Sequence, residues 1–387
     1  MNAVELFVGA GGLGMAVSQA GFKPQLVVDW DPWACDTIRQ NKKAGLAPFT
    51  TWPLVQGDVR DVSFSNISKT IDLVTGGPPC QPFSMGGLHR AFLDERDMFP
   101  QAIRAVRELQ PKAFVFENVK GLTRASFSSY LEYICLQLQY PSLTAKTKEP
   151  WHDHFLRLED YKARGKIRGL QYKVAMRVLN AANYGVPQKR ERILIVGFRS
   201  DMNVTWEYPI HTHSNDALLW SQWRSGEYWE RHKVAKRHRP DDESGKARAQ
   251  KLKAPPAETP WVTVRDAIAD LPDPELHPLL AKAFPDHRFQ PGARTYPGHT
   301  GSPLDEPAKT LKAGVHGVPG GENMLRRTDG TVRYFTVRES ARLQTFPDEM
   351  IFHGSWSETM RQLGNAVPTK LAHVIVQRVH DRLKGTS

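Results

Sequence analysis

Residues 4–20 read Val-Glu-Leu-Phe-Val-Gly-Ala-Gly-Gly-Leu-Gly-Met-Ala-Val-Ser-Gln-Ala: a short apolar run, a glycine-rich turn, and a helix-forming run. A strand that breaks into glycines and resumes as a helix is the opening of a βαβ unit in an open α/β sheet. Gly9, Gly11 and Gly14 satisfy G-x-G-x-x-G, and Asp29 lies twenty residues beyond the first of them. Taken alone, this spacing predicts a dinucleotide. It serves any adenosine-bearing cofactor equally well, because glycines let the backbone come close and a carboxylate after the second strand binds ribose hydroxyls. The stretch therefore leaves NAD and S-adenosylmethionine both open.

Outward from this turn, short apolar runs alternate with helical patterns, as a parallel α/β sheet requires. Strands are expected at Val4 to Val8, at Leu26 to Val28 ending on Asp29, just before Gly57-Asp58, at Ile71 to Thr75, at Ala113 to Phe116, and at Arg192 to Gly197 after Tyr184-Gly-Val-Pro. Helices are expected at Met15 to Ala20 and at Trp33 to Asn41, the latter entered through Pro32. A third shows one apolar face made by Phe99, Ile103, Val106 and Leu109. Residues 141–170 read as a polar insertion, with seven Lys or Arg against four acids. Near Asp201 the character changes: to about Arg333 the chain is rich in Trp, His, Pro, Arg and Lys with weak periodicity, which predicts a separate lobe of strands and loops. Regular pattern returns at Thr336, and Pro368 opens a last helix whose Leu371, Val374, Ile375 and Val379 share a face. The expected division is 1–200, 201–335 and 336–387, with the last segment rejoining the first.

The 387 residues are 40% hydrophobic and 24% charged, enough for a full core. No run of some 18 apolar residues and no charged-then-apolar leader is present, so the cytoplasm is the expected compartment and no membrane partner is expected. Cys35, Cys80 and Cys135 form neither a disulfide framework nor a zinc spacing, and no metal is expected. A net charge of +11 favours a polyanionic partner, and Arg231 to Lys253 holds nine Lys or Arg against Asp241, Asp242 and Glu243. Such a cluster can neutralise phosphates; a solvated loop is the plainer alternative.

One cysteine stands apart. Residues 76–84 read Gly-Gly-Pro-Pro-Cys-Gln-Pro-Phe-Ser, which ends a strand and shapes a loop, because glycine and proline both weaken a sheet ladder. Cys80 is thus displayed where open α/β sheets bind ligands, whereas Cys35 and Cys135 fall inside expected helices as filler. Hydride transfer offers no role for a strand-end thiol followed by a basic lobe; methyl transfer does.

The set LFVGAGGLG, GGPPCQPFS, Glu117-Asn118-Val119 after a strand, Gln188-Lys-Arg190-Glu-Arg192, and Arg361-Gln-Leu-Gly-Asn365-Ala-Val-Pro368 closely resembles the bacterial DNA (cytosine-5) methyltransferases of restriction-modification type. The motifs run in that family's order and cover both ends of the chain. The resemblance implies an S-adenosylmethionine-dependent, Rossmann-like sheet domain with a smaller, irregular, β-rich target-recognition domain inserted before the C-terminal helices. It implies methyl transfer to C5 of cytosine in double-stranded DNA, through a Cys80–C6 adduct on a flipped base, with S-adenosylhomocysteine as product. Glu117 would hold N3 and the exocyclic amino edge of the base, and Arg192, with Arg190 in support, the O2 side.

For the cofactor, the resemblance implies Phe7 against adenine, Gly9, Gly11, Gly12 and Leu13 in the turn, Asp29 on ribose, and Trp30 beside the adenine ring. It adds Asp58 and Val59 near the amino group, Pro79, and Asn365, Ala366 and Val367 at the amino-acid end. Phe7 and Trp30 also read as core aromatics, Asp58 as a turn residue, and Glu117 and the two arginines as charges flanking strands. Glu5 stands where the family commonly has aspartate. DNA contacts are expected from Gln81, Ser84, Arg90, Gln188, Lys309, Lys312 and Arg326, with Arg294, His299, His316 and Arg327 as further candidates and residues 84–90 as a closing loop. The resemblance further implies a monomer acting on the nucleoid, genetically paired with a restriction endonuclease. A transfer-RNA cytosine methyltransferase is the nearest rival, but its characteristic Cys-Phe-Thr is missing, since no cysteine follows Cys135. An NAD-dependent oxidoreductase and a catalytically silent DNA-binding protein are the other two readings.

Overall fold

The computed structural model describes residues 1–67, 69–79, 97–165, 169–313 and 323–385. Strand β1 (Asn2–Leu6) leads through the glycine turn into helix α1 (Gly12–Gln19), then β2 (Lys23–Asp29), α2 (Pro32–Lys43), β3 (Leu54–Gln56) and β4 (Leu73–Gly76). Helix α2 starts as its sequence dictates, with the Asp31 carboxylate accepting from Ala34 N and Pro32 in the first turn. There follow α3 (Phe99–Leu109), β5 (Ala113–Val119), α4 (Ser128–Gln139), α5 (Trp151–Ala163), β6 (Tyr172–Asn180), β7 (Gln188–Lys189) and β8 (Glu191–Arg199).

Seven of these strands form one sheet in the order β3-β2-β1-β4-β5-β8-β6. Neighbours from β3 to β5 are parallel, while β8 runs antiparallel to both β5 and β6. The strand order reverses between β1 and β4, so the crevice at the carboxyl ends of these strands is the binding position of such sheets. The sheet's strands are near-continuous apolar runs because both faces are covered. One face packs Val4, Val74, Phe114 and Ile195 under α3 and α4. The other packs Ala3, Leu73, Val115 and Val196 under α1 and a C-terminal helix.

The expected strands all occur, with two differences. Strand β6 was not expected, and β8 opposes the sheet instead of continuing it in parallel. The polar insertion contains a helix, α5, whose buried His154 contacts the Tyr133 hydroxyl at 2.7 Å and the Leu143 carbonyl at 2.8 Å.

Beyond β8 the chain builds β9 (His213–Ser214), α6 (Asn215–Trp223), α7 (Glu227–Arg231), α8 (Glu243–Lys251), β10 (Thr259–Pro260), α9 (Val264–Ile268), α10 (Pro278–Ala281), β11 (Ser302–Pro303), β12 (Ala308–Lys309), β13 (Met324–Arg326) and β14 (Val332–Tyr334). Where strands and loops were expected, residues 215–251 are largely helical, around a small core of Leu218, Tyr228 and Trp229. The strands that follow have two or three residues each. The chain then returns through α11 (Val337–Leu343), α12 (Trp356–Asn365) and α13 (Thr369–Lys384), whose Leu371, Ile375 and Val379 bury against α1 and the sheet.

Candidate active site

At the end of β1 the backbone turns sharply, with Phe7 at φ 56° and Gly9 at φ 55°. Positive φ at an aromatic residue is a strained conformation held by its surroundings. Here the Val8 amide donates to the Val28 carbonyl at 3.1 Å and the Gly11 amide to the Val8 carbonyl at 2.9 Å. The Asp29 carboxylate, at the tip of β2, accepts from the Gly9 amide at 2.6 Å and the Asp31 amide at 2.9 Å. It is 6% exposed, and burial pushes its carboxyl up against the pull of those two donors. Next to it Trp30 is 72% exposed, with its indole at the surface, not in the core.

A side chain at Gly9 would meet no protein atom within 4 Å, so open space lies before the turn. Gly12 differs: a Cβ there would come within 2.3 Å of the Val367 carbonyl oxygen. The glycine turn and the Asn365–Val367 segment, far apart in sequence, are therefore in direct contact. Asn365 ends α12 in an exposed position, Ala366 is half-buried and Val367 buried. Leu13 and Val59 bury their side chains in the core. Asp58 caps the short helical turn Val59–Asp61 and accepts from the Arg60 guanidinium at 2.6 Å, which holds its carboxyl below the usual range. A buried carboxylate, a close-approach glycine, an exposed indole and a second carboxylate around open space fit an adenosine-bearing cofactor.

The reacting groups gather on the same rim. Glu117 and Arg192 face each other across β5 and β8, with Arg192 Nε 2.7 Å from Glu117 Oε1. Both are buried, at 7% and 8% exposure. Burial pushes the Glu117 carboxyl up, and the adjacent Arg192 guanidinium holds it back. Arg192, the second residue of β8, lies opposite Val119 and reaches the rim because β8 runs antiparallel to β5. Beside the pair, a Cβ on Gly77 would lie 3.2 Å from Glu117 Oε2. The Asn118 side-chain amide donates to the Pro78 carbonyl at 2.9 Å, and the Met98 amide to the Pro79 carbonyl at 3.1 Å. Asn118 thus anchors the segment leading to residue 80, a role its motif carried in sequence but that only its bond to Pro78 defines. Cys80, Gln81, Ser84 and Arg90, the expected closing loop, and His316 lie outside the described residues.

Two expected contacts are corrected. Gln188 is fully buried: its Nε2 donates to the Leu343 carbonyl at 3.1 Å and its Oε1 accepts from the Leu311 amide at 2.9 Å, so no polar group remains for DNA. Arg190 is also fully buried, with its guanidinium donating to the carbonyls of Leu311 at 2.8 Å, Gly364 at 2.5 Å and Ala366 at 3.0 Å. Its two Nη atoms are thus occupied by backbone carbonyls of the lobe and of the α12 end. Among the lobe candidates, Arg327 is tied to Asp273 at 3.1 Å and Glu275 at 2.6 Å. Arg326 and Lys312 are exposed, and Lys309 Nζ rests 3.2 Å from the Thr300 hydroxyl. Arg294 lies over the Tyr296 ring. Within the basic run, Arg231, Lys246 and Arg248 are spent on Asp266, Asp241 with Glu243, and Asp216.

The open α/β sheet with a cofactor crevice at its switch point and an acid–guanidinium pair beside a strand-end loop is that of an S-adenosylmethionine-dependent methyltransferase. The family model for C-5 cytosine-specific DNA methylase matches residues 1–140 and 164–381, and the chain belongs to that family. It transfers a methyl group from S-adenosylmethionine to C5 of cytosine. The unmatched stretch between the two blocks contains α5. The type II methyltransferase M.Eco47II of Escherichia coli is 32% identical over 383 residues, covering 97% of this chain and 78% of that protein. M.PspPI of Psychrobacter is 32% identical over 382 residues, covering 96% and 77%. In overall fold the chain is similar to a DNA modification methyltransferase encoded within an E. coli prophage, with TM-score 0.59, 20% identity and 99% of each chain covered. Among the described residues no helix is long and apolar enough to cross a membrane.

Proposed function

We propose that Cys80, Glu117 and Arg192 carry the chemistry, and that residues 201–335 select a specific sequence in double-stranded DNA for the catalytic body formed by 1–200 and 336–387. The observation that supports this most is the buried Glu117–Arg192 pair beside Gly77–Pro79, the segment that delivers Cys80. Target cytosine is turned out of the duplex, since its C6 is unreachable inside the stack. The Cys80 thiolate adds to C6, and the C5–C6 electron pair shifts toward the ring nitrogen and carbonyl. Glu117, whose carboxyl burial pushes up, donates to N3, and Arg192 faces the O2 side, where negative charge grows. The electron-rich C5 then takes the methyl group. When bound, S-adenosylmethionine supplies that methyl on a sulfonium, held by Asp29, Asp58, Trp30, Phe7 and the backbone of Gly9 and Asn365. N3 returns its proton to Glu117 as C5 is methylated, and loss of the C5 proton to a base then expels the Cys80 thiolate and restores the C5–C6 double bond.

Lys309, Lys312 and Arg326, on the lobe, and Arg90, Gln81 and Ser84, after the nucleophile, contact DNA in this reading. The protein acts as a monomer and protects its host's DNA from a partner restriction endonuclease; similarity to type II methyltransferases supports the pairing. Incubation with methyl-labelled cofactor and unmethylated duplex DNA, followed by base-resolution mapping, tests the whole reading. Label at one repeated sequence is expected with wild type, none with Cys80→Ala, and at least about a hundredfold slower transfer with Glu117→Gln. Methylation by Cys80→Ala at a comparable rate would overturn the assignment.

A further inference from the structure

Arg190 has no carboxylate contact, yet it is wholly buried, an expensive position for a cation that is offset here through its two Nη atoms, its Nε having no partner. Its closest partners are three carbonyls from two separate stretches, Leu311 within the lobe segment 308–313 and Gly364 and Ala366, which bracket Asn365, with Gln188 Oε1 a further acceptor at 3.5 Å. The two stretches also touch directly. A Cβ on Gly364 would lie 2.4 Å from Ala313 N and 2.5 Å from the Lys312 carbonyl carbon, so only glycine lets the lobe backbone lie against α12. The contact is reinforced from β7, where Gln188 Oε1 accepts from the Leu311 amide and Nε2 reaches the Gln344 side chain at 3.2 Å. Gln344 in turn donates to the carbonyls of Leu363 and, at 3.3 Å, of Ala366. Val367, one residue on, abuts Gly12 of the cofactor turn.

We propose that Arg190 is a positioning residue that locks the lobe segment 308–313 to the 364–367 segment, so that the lobe reading DNA and the end of the cofactor crevice keep one fixed register. The inference rests on the assignment of residues 201–335 to target selection and of Asn365 to the cofactor. Its content is that one guanidinium joins the two sites, and that loosening it degrades both together. Lysine keeps the charge but offers a single nitrogen, which cannot reach three carbonyls in a fixed plane.

The test measures binding of S-adenosylhomocysteine without DNA, and methyl-transfer kcat and KM on cognate and one-base-altered duplexes, for wild type, Arg190→Lys and Gly364→Ala. Gly364→Ala leaves every charged group in place, and alanine suits a helix, so its effect comes from the added methyl pushing 312–313 away. Both variants are expected to weaken homocysteine-product binding roughly tenfold, the scale of one charge-assisted hydrogen bond, and to lower discrimination between the duplexes by a similar factor. Two results overturn the proposal: a fall in kcat alone with binding and discrimination unchanged, which marks Arg190 as a base contact, or a lowered melting temperature with unchanged constants, which marks it as a stability residue only. If Arg190→Lys fails to fold, Gly364→Ala decides by the same constants. Absence of methyl transfer by the wild type would strike the functional reading instead, while product binding would still report on the joint.

Discussion

Away from its rim and the Glu5–Thr75 contact, the sheet packs through apolar side chains: Val4, Val74, Phe114, Ile195 on one face and Leu73, Val115, Val196, Ile375 on the other. In and around the lobe, small apolar clusters are supplemented by arginine ion pairs, some buried and some partly exposed. Arg333 pairs with Glu339 at 2.6 Å, Arg265 with Asp305 at 2.6 Å, Arg342 with Asp270 at 2.5 Å, and Arg327 with Asp273 at 3.1 Å. A long strand buried on both faces fills its own core, whereas two-residue strands and one-turn helices have too little apolar area to do so. Directional bonds then set the geometry, which suits a part whose loops must hold a definite shape against DNA. The comparison teaches that the two regions should respond differently to charge removal and to pH.

The largest expected effect is from Arg333→Ala. Glu339 is 1% exposed, and losing its partner leaves a buried carboxylate with no counter-charge and only the Thr336 amide as donor, at a cost of about 3–5 kcal/mol. Urea unfolding checks this, and Arg333→Met with Glu339→Leu should recover most of the loss. A single-variant cost under about 1 kcal/mol would break the contrast, since the lobe would then not depend on its ion pairs.

A smaller effect of opposite kind is expected in the sheet. Glu5, on β1, is buried beside the Thr75 hydroxyl, and burial pushes its carboxyl from 4.5 to about 8. The folded state therefore binds a proton that the unfolded chain has lost between those values, and stability from this group falls as pH rises through that window. Glu5→Gln should stabilise by a few kcal/mol at pH 8 and by almost nothing at pH 4, on the order given by linkage. Thermal melts at both pH values decide, and an equal effect at each would sharpen the comparison against a titrating Glu5.

The smallest effect belongs to Asp270, whose carboxyl the Arg342 hydrogen bond holds below the usual range. Its contribution is present above the ordinary aspartate range and is lost as pH falls through the depressed folded value. The pair is largely exposed on the Asp270 side, so Asp270→Asn should cost under about 1 kcal/mol at pH 7, less in high salt, and nothing near pH 2. Melting temperatures across that pH range give the answer, and a cost persisting at pH 2 would mean the carboxylate's charge is not what matters.

Legibility followed the same divide. The strands of the sheet were readable because apolar runs bounded by glycine and proline leave little else, and Asp29 was readable because its distance from the glycine turn is set by one βα unit. Strand β6 escaped: Tyr172–Asn180 lies at the sheet edge with Lys173 and Arg177 exposed, and it follows a polar insertion. The helical start of the lobe escaped because α6 to α8 are short and mix tryptophan with charge, so no face dominates.

The amino-acid order alone determined the strand–glycine–helix opening, the acid after β2, and the set of motifs that identifies the chemistry, since each is a local pattern of residue types. Tertiary structure alone decided that β8 runs backwards, because hydrophobic periodicity is the same in either direction. It also decided the fates of the two arginines. Arg190 and Arg192 read alike as guanidiniums for the O2 side of the base or as charges flanking a strand, but one meets a carboxylate at the rim and the other three carbonyls. What a guanidinium does depends on acceptors brought from distant parts of the chain, and those appear only when the chain is folded.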